Sequence, residues 1–152
     1  MAKFAEALDR KAEEIKRPPN PPVGEYIFTI SKMAEHAQLN DEWSKVTHHC
    51  AIVSATDTVD PDDLAEFGNV AGQYVKKEFM FNEKEDGDID YERALADLKE
   101  FYERCGIDID SGSLKTWMAD CVNAQFMGEL KHRPDKNEPD TIYTEIGRTA
   151  AA

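Results

Sequence analysis

The sequence predicts a mainly β protein with added α structure. It would have five antiparallel strands curled into a barrel, a helix between strands three and four, and an N-terminal helical appendage. Three observations carry this. Short segments rich in β-branched and aromatic residues alternate apolar with polar, and clusters of Gly, Pro, Asn and Asp separate them. One stretch with a strong helical period, residues 89–105, falls after the third such segment. A Pro-Pro-Asn-Pro-Pro run at 18–22 sets a first amphipathic stretch apart from the rest.

Residues 2–17 read as a helix, with Phe4, Leu8, Ala12 and Ile15 on one side and mixed charges on the other. Pro18 and Pro19 stop it, and 18–22 favours a stiff polyproline II connector. The chain thus divides into an appendage and connector (1–22), a body (23–148) and a short tail (149–152). The first strand is Glu25 to Met33, with Tyr26, Phe28 and Lys32 on one parity. Residues 34–41 form a polar turn around Asn40-Asp41. The second strand, Trp43 to Ala55, puts Val46, His48, Cys50 and Ile52 on one face and Trp43, Lys45, Thr47 and His49 on the other. Asp60-Pro61 opens a short helix over 61–67 that Gly68 ends. In the third strand, Tyr74 to Asn82, Val75, Phe79 and Phe81 oppose Tyr74, Lys76, Glu78 and Met80. The long helix carries Tyr91, Leu95, Leu98, Tyr102 and Cys105 on one stripe, and Gly106 stands at its C-cap. A short helical turn over 113–120 precedes strands at 122–132 and 141–148, joined by a polar turn from Pro134 to Asp140. The order β-β-β-α-β-β is that of the five-stranded oligonucleotide-binding (OB) barrel.

Composition sets limits on function. A chain of 152 residues, 41% hydrophobic and 32% charged, is expected to fold as one globular body. No apolar run reaches the roughly 20 residues of a membrane helix, and the N-terminus lacks the apolar core of a secretory leader. Cys50, Cys105 and Cys121 are odd in number and far apart, which predicts free thiols in a reducing cytoplasm. The net charge of −13 repels phosphate at long range, so a nucleic-acid site must be a local cationic and aromatic strip.

Candidate chemistry narrows further. His48, His49 and Cys50 are adjacent, but strand neighbours point to opposite faces and cannot converge on one metal ion. The acidic run 83–92 fails the calcium-loop register, because Gly87 at the sixth place puts Lys84 third and Arg93 twelfth. There is no G-x-S-x-G elbow and no phosphate-binding glycine loop, so neither enzymatic activity nor a cofactor is expected. Interleaved aromatic and basic residues remain: Trp43, Lys45 and His49; Tyr74, Lys76 and Lys77; Lys131, His132 and Arg133; Tyr143 and Arg148. Bases stack on such rings while cations follow the phosphates. The plainer account makes alternating aromatics core, as expected for Phe28, Phe79 and Phe81, and makes strand lysines guards against edge pairing.

Several stretches together resemble a family of small bacteriophage-encoded, OB-like single-stranded-DNA-binding proteins. They are Pro22-Val23-Gly24-Glu25-Tyr26, Gln73 to Phe79, Tyr102 to Asp108, Leu130-Lys131-His132-Arg133-Pro134 and Thr141 to Ile146, within residues 15–150. The resemblance implies an accessory of phage DNA replication or recombination that coats single-stranded DNA in the bacterial host cytoplasm. It would have replication or recombination proteins as partners, no membrane association, and room for homo-oligomerisation. Proteins of this kind often end in an acidic tail that recruits partners. This chain ends Gly147-Arg148-Thr149-Ala150-Ala151-Ala152, so recruitment is expected instead from 57–66, 83–92 or the N-terminal helix. The expected groove crosses strands one to three and is rimmed by the strand four–five turn. Trp43 and Tyr74 would stack bases, Lys45, Lys76, Lys77, Lys131 and Arg133 would meet phosphates, and Tyr143 would stand beside them. The competing expectation is an acidic protein-interaction module of the same fold, a virion or replisome component or a DNA-mimicking inhibitor, that leaves DNA alone.

Overall fold

The computed structural model describes residues 2–15 and 17–152. A short α1 (Ala2–Ala7) and a 3₁₀ turn (Ala12–Glu14) lead into β1 (Gly24–Ile30), β2 (Glu35–Gln38) and β3 (Trp43–Ala55). Then follow α2 (Pro61–Phe67), β4 (Tyr74–Asn82), α3 (Asp88–Arg104), α4 (Leu114–Asp120), β5 (Gln125–Pro134) and β6 (Ile142–Ala151).

The strands form one antiparallel sheet along the path β4-β3-β1-β5-β6. Within it, β5-β1-β3-β4 has the spatial order of a Greek key. The length of β3 makes this possible: Cys50–Ala55 pairs with β1, Ser44–Thr47 pairs with β2, and Trp43–Ala51 pairs with β4. Register shifts at Ile27/Phe28 and Gly128/Leu130 bend the sheet. The sheet stays unclosed. Strands β4 and β6 come within 8 Å at their Cα atoms, but no ladder joins them among the described residues.

Period-two alternation decides the core. Tyr26, Phe28 and Ile30 of β1 are fully buried with Cys50, Phe126 and Leu130, while α3 adds Leu98, Phe101 and Tyr102 from the side of β4 and β6. Their rings form a continuous aromatic chain: Phe28 stacks on Phe126 at 5.4 Å, Phe126 meets Phe101 at 4.9 Å, and Phe101 meets Phe79 at 5.3 Å. Gly128 lets this pack, since a Cβ there would lie 2.8 Å from Ile146 and 3.1 Å from the Phe28 ring. Gly106, at φ +81°, ends α3 as expected of a C-cap glycine.

Six strands in an open sheet replace the expected barrel of five, and the structure also departs from the sequence expectations at the N-terminal helix, at 34–41 and at the C-terminal tail. The helix predicted over 2–17 breaks after Ala7, and Lys16 lies outside the described residues. Phe4, Leu8 and Ile15 are exposed, so no tertiary burial supports an isolated helix of that length. The predicted turn at 34–41 contains β2, whose four residues are all exposed and carry no apolar alternation to announce a strand. Its Asn40-Asp41 turn is present, with Asn40 Oδ1 accepting from the amides of Glu42 and Trp43. Strand β6 runs on through the predicted tail, pairing Thr149, Ala150 and Ala151 with Gly128, Met127 and Phe126. The connector is no free spacer: Asn20 Nδ2 donates to Ile142 O, His132 Nε2 to Pro21 O and Tyr26 OH to Pro22 O, tying it to β6, β5 and β1. No helix among the described residues is long and apolar enough to cross a membrane.

His48 joins three elements inside the core. The Lys77 carbonyl at 3.1 Å only accepts, so Nδ1 carries the proton and Nε2 accepts from the Tyr102 hydroxyl at 2.8 Å. Burial pushes the imidazole down to about 4, with the nearby Lys77 ammonium acting in the same direction and the bond to the Lys77 carbonyl opposing it. A base held below its unfolded value near 6.5 contributes stability that is complete above that pH and lost as pH falls toward 4. The expected loss across that window is about 3 kcal/mol. Urea unfolding at pH 7 and pH 4.5 should show it in the native protein but not in His48→Gln, whose side chain does not titrate. Equal pH dependence in the two proteins would exclude this role for His48.

Candidate functional site

The β3–β4 ladder sets which side chains face out. Lys45 lies opposite Met80, Thr47 opposite Glu78, His49 opposite Lys76 and Ala51 opposite Tyr74. Directly paired residues share a face, so these eight form one outward surface. At its end Tyr74 is 56% exposed, and its hydroxyl meets His49 Nδ1 at 2.5 Å. A cleft of about 510 Å³ opens beside it between β4 and β6, lined by Tyr74, Lys76, Glu78, Arg133, Tyr143, Glu145 and Arg17. A second depression of about 260 Å³ reaches toward β2 and includes Glu35, His36, Lys45 and His49. The two share Tyr74, Lys76 and Glu78.

Five of the predicted residues, Lys45, Tyr74, Lys76, Arg133 and Tyr143, therefore line adjoining clefts. Four cations (Arg17, Lys45, Lys76, Arg133) stand against three carboxylates (Glu35, Glu78, Glu145), on a chain whose net charge is −13. Most are already paired. Lys45 Nζ lies 2.8 Å and Lys76 Nζ 3.4 Å from the Glu78 carboxylate, and Arg133 Nε lies 3.1 Å from Glu145. Partial burial by itself would raise the Glu78 carboxyl, but Lys45, Lys76 and Thr47 outweigh it and hold the group below the usual carboxylate range. The Arg133 guanidinium lies over the Tyr143 ring at 5.5 Å, and Asp135, hydrogen-bonded to the phenol, pushes that phenol up.

Three predicted residues lie elsewhere. Trp43 shares the outward face but begins β3, its ring 5.4 Å from the Lys84 ammonium and roughly 27 Å along the strand from the Tyr74 rung. Lys131 stands on β5 against Glu129, at 3.3 Å, and lines a different depression with Val23 and Thr58. Lys77 points inward, on the parity of Val75, Phe79 and Phe81, and its ammonium donates to Ile146 O at 3.1 Å and Gly147 O at 3.0 Å. Those bonds leave it unavailable to a phosphate, a correction that the alternation of β4 already contained. Burial pushes this ammonium below its ordinary value; Glu145 opposes that shift and Arg104 adds to it. Tyr26 and Phe28 of β1 are wholly buried, Phe28 as expected of a core aromatic, because their face of the sheet packs toward α3 through Phe126 and Phe101; the first predicted strand adds no aromatic to the surface.

Sequence reasoning passed over Arg17, which the anchored connector carries to the cleft, and Glu78, which sits between two of the lysines. Only the parity of β4 signals Glu78, and nothing local signals Arg17. The three thiols are buried, and burial pushes Cys50 and Cys105 up to about 12, so both stay protonated near neutral pH. No family model matches this chain, and no curated protein matches it.

The geometry makes Lys77 the clasp between the two unladdered strands. Replacing it with Met, which keeps the apolar stem, should lower unfolding free energy by roughly 1–3 kcal/mol through two lost charge-assisted hydrogen bonds. Urea titration measures this, and an unchanged midpoint would show that the seam holds without it.

Proposed function

We propose that the protein binds single-stranded DNA without strong sequence preference, on the outward face of β3 and β4 and in the cleft between β4 and β6. The observation that carries this reading is the convergence of Lys45, Tyr74, Lys76, Arg133 and Tyr143 on adjoining clefts of an otherwise acidic chain. Single strands are held by rings that stack bases beside cations that follow the backbone. Tyr74 and Tyr143 supply the rings, and Lys45, Lys76, Arg133 and Arg17 the cations. In the OB fold the face of strands two and three and the flanking loops bind oligonucleotides. The Greek-key order, the unclosed sheet and the helix between β4 and β5 are compatible with that partly open barrel. On this reading the protein is a non-enzymatic accessory of phage DNA replication or recombination, acting in the host cytoplasm. It would work beside other replication or recombination proteins.

One observation favours the second reading, an acidic interaction module that leaves DNA alone. Lys45, Lys76, Lys131 and Arg133 are each ion-paired to a glutamate, so phosphate must compete for them. Surface pairs of this kind are weak, about 0–1 kcal/mol each, which leaves competition feasible.

Anisotropy of a labelled oligo-dT titrated with protein, at several salt concentrations, separates the two. Expected are saturable binding that weakens steeply with salt, a loss of about 1–3 kcal/mol in Tyr74→Ala, and a salt slope shallower by about 0.7 in Lys76→Ala. Lys77→Met should keep the native slope. A flat titration at low salt would discard DNA binding and favour the protein-interaction module.

A further inference from the structure

The two lysines nearest the centre of the outward face do not point freely to solvent. Lys45 Nζ is 2.8 Å from Glu78 Oε2, Lys76 Nζ is 3.4 Å from Oε1, and the Thr47 hydroxyl donates to Oε2 at 3.2 Å. Both oxygens of one carboxylate are held by two ammonium groups and a hydroxyl. The β register builds this cage, since Thr47 is directly opposite Glu78, Lys45 is its diagonal neighbour, and Lys76 lies two residues along the same strand. Donors so arranged suit any singly charged oxyanion with two accepting oxygens, and a backbone phosphodiester is such a group. Glu78 also lines both adjoining depressions and stands on the divide between them. A strand running from Tyr143 toward Lys45 must pass it.

We infer that Lys45, Lys76 and Thr47 form a phosphate subsite which the carboxylate of Glu78 occupies when no strand is bound. Glu78 is a built-in competitor: a backbone phosphate takes its place, and the carboxylate turns out to solvent. The exchange swaps one negative charge for another at the cage. The side chains of Lys45, Lys76 and Glu78 are 29%, 49% and 27% exposed, so water reaches the carboxylate as it leaves the cage. The inference rests on the single-strand reading for its biological ligand, but the cage is testable without DNA.

The first arm titrates ¹⁵N-labelled native protein and Glu78→Gln with inorganic phosphate and follows the amide shifts of Lys45, Thr47 and Lys76. With the competitor neutralised, phosphate should bind about tenfold more tightly in the variant, with shifts centred on those residues. Equal affinities, or shifts centred elsewhere, would overturn the subsite. The second arm repeats the oligo-dT titration. There Glu78→Gln should bind several-fold more tightly with the native salt slope, because the same phosphates are engaged in both proteins and only the competing carboxylate is lost. Weaker or unchanged DNA binding by the variant, beside a native protein that binds, would overturn the competitor role and leave the single-strand reading intact. A native protein that ignores DNA while the phosphate arm succeeds would remove that reading and keep the cage. Glu78→Ala is the second variant and should behave as Glu78→Gln does.

Discussion

Trp43–Ala51 and Tyr74–Asn82 face one another in a single antiparallel register, and both sides of the molecule depend on it. With His48 opposite Lys77 and Cys50 opposite Val75, one face of the pair closes over α3; with Lys45, Glu78, Lys76 and Tyr74 on the other, the opposite face becomes the outward surface. A slip of β4 by one residue would turn Lys76 and Glu78 into the core and Lys77, Phe79 and Phe81 into solvent. His48 helps hold the register, because its ring reaches the Lys77 carbonyl on β4 and the Tyr102 hydroxyl on α3 together. The inner network and the outer charged surface are two faces of one ladder.

The seam between β4 and β6 follows from the same arrangement. A sheet that ends on β4 and β6 must either pair these strands or leave backbone groups facing a gap. Lys77 spans it by giving its ammonium to two β6 carbonyls, and α3 packs against both strands. The Tyr74 end of the gap stays open as the larger cleft, and the β5–β6 turn delivers Arg133 and Tyr143 to its rim. Incomplete closure therefore supplies the concavity that a fully laddered sheet would lack.

Electrostatics reconciles the acidic chain with the proposed site for an anionic ligand. Outside the clefts the carboxylates dominate, with runs at 57–66 and 83–92; inside them cations and carboxylates nearly balance. A repulsive general field with a small neutral-to-positive strip favours ligands that reach the strip in close contact over those attracted from afar. The ion pairs along the strip keep lysine side chains ordered while leaving them exchangeable.

Much of this was legible in the chain itself. Alternation placed His48 inside and His49 outside, Asp60 and Gly106 marked helix ends, and the outward parity of β3 and β4 contained Lys45, Tyr74 and Lys76. The same parity assigned Lys77 inward, though as one lysine in a basic pair it read as surface. What only the tertiary structure decided was which strands lie side by side. That choice set β1 between β3 and β5, brought Tyr143 and Arg133 to Tyr74 across the seam, and drew Arg17 in through the tied proline connector. The physical reason is one of range. Side-chain direction along a strand follows from local backbone geometry and is written every two residues. Strand adjacency follows from burying all the apolar faces at once, a property of the whole chain that no single segment carries.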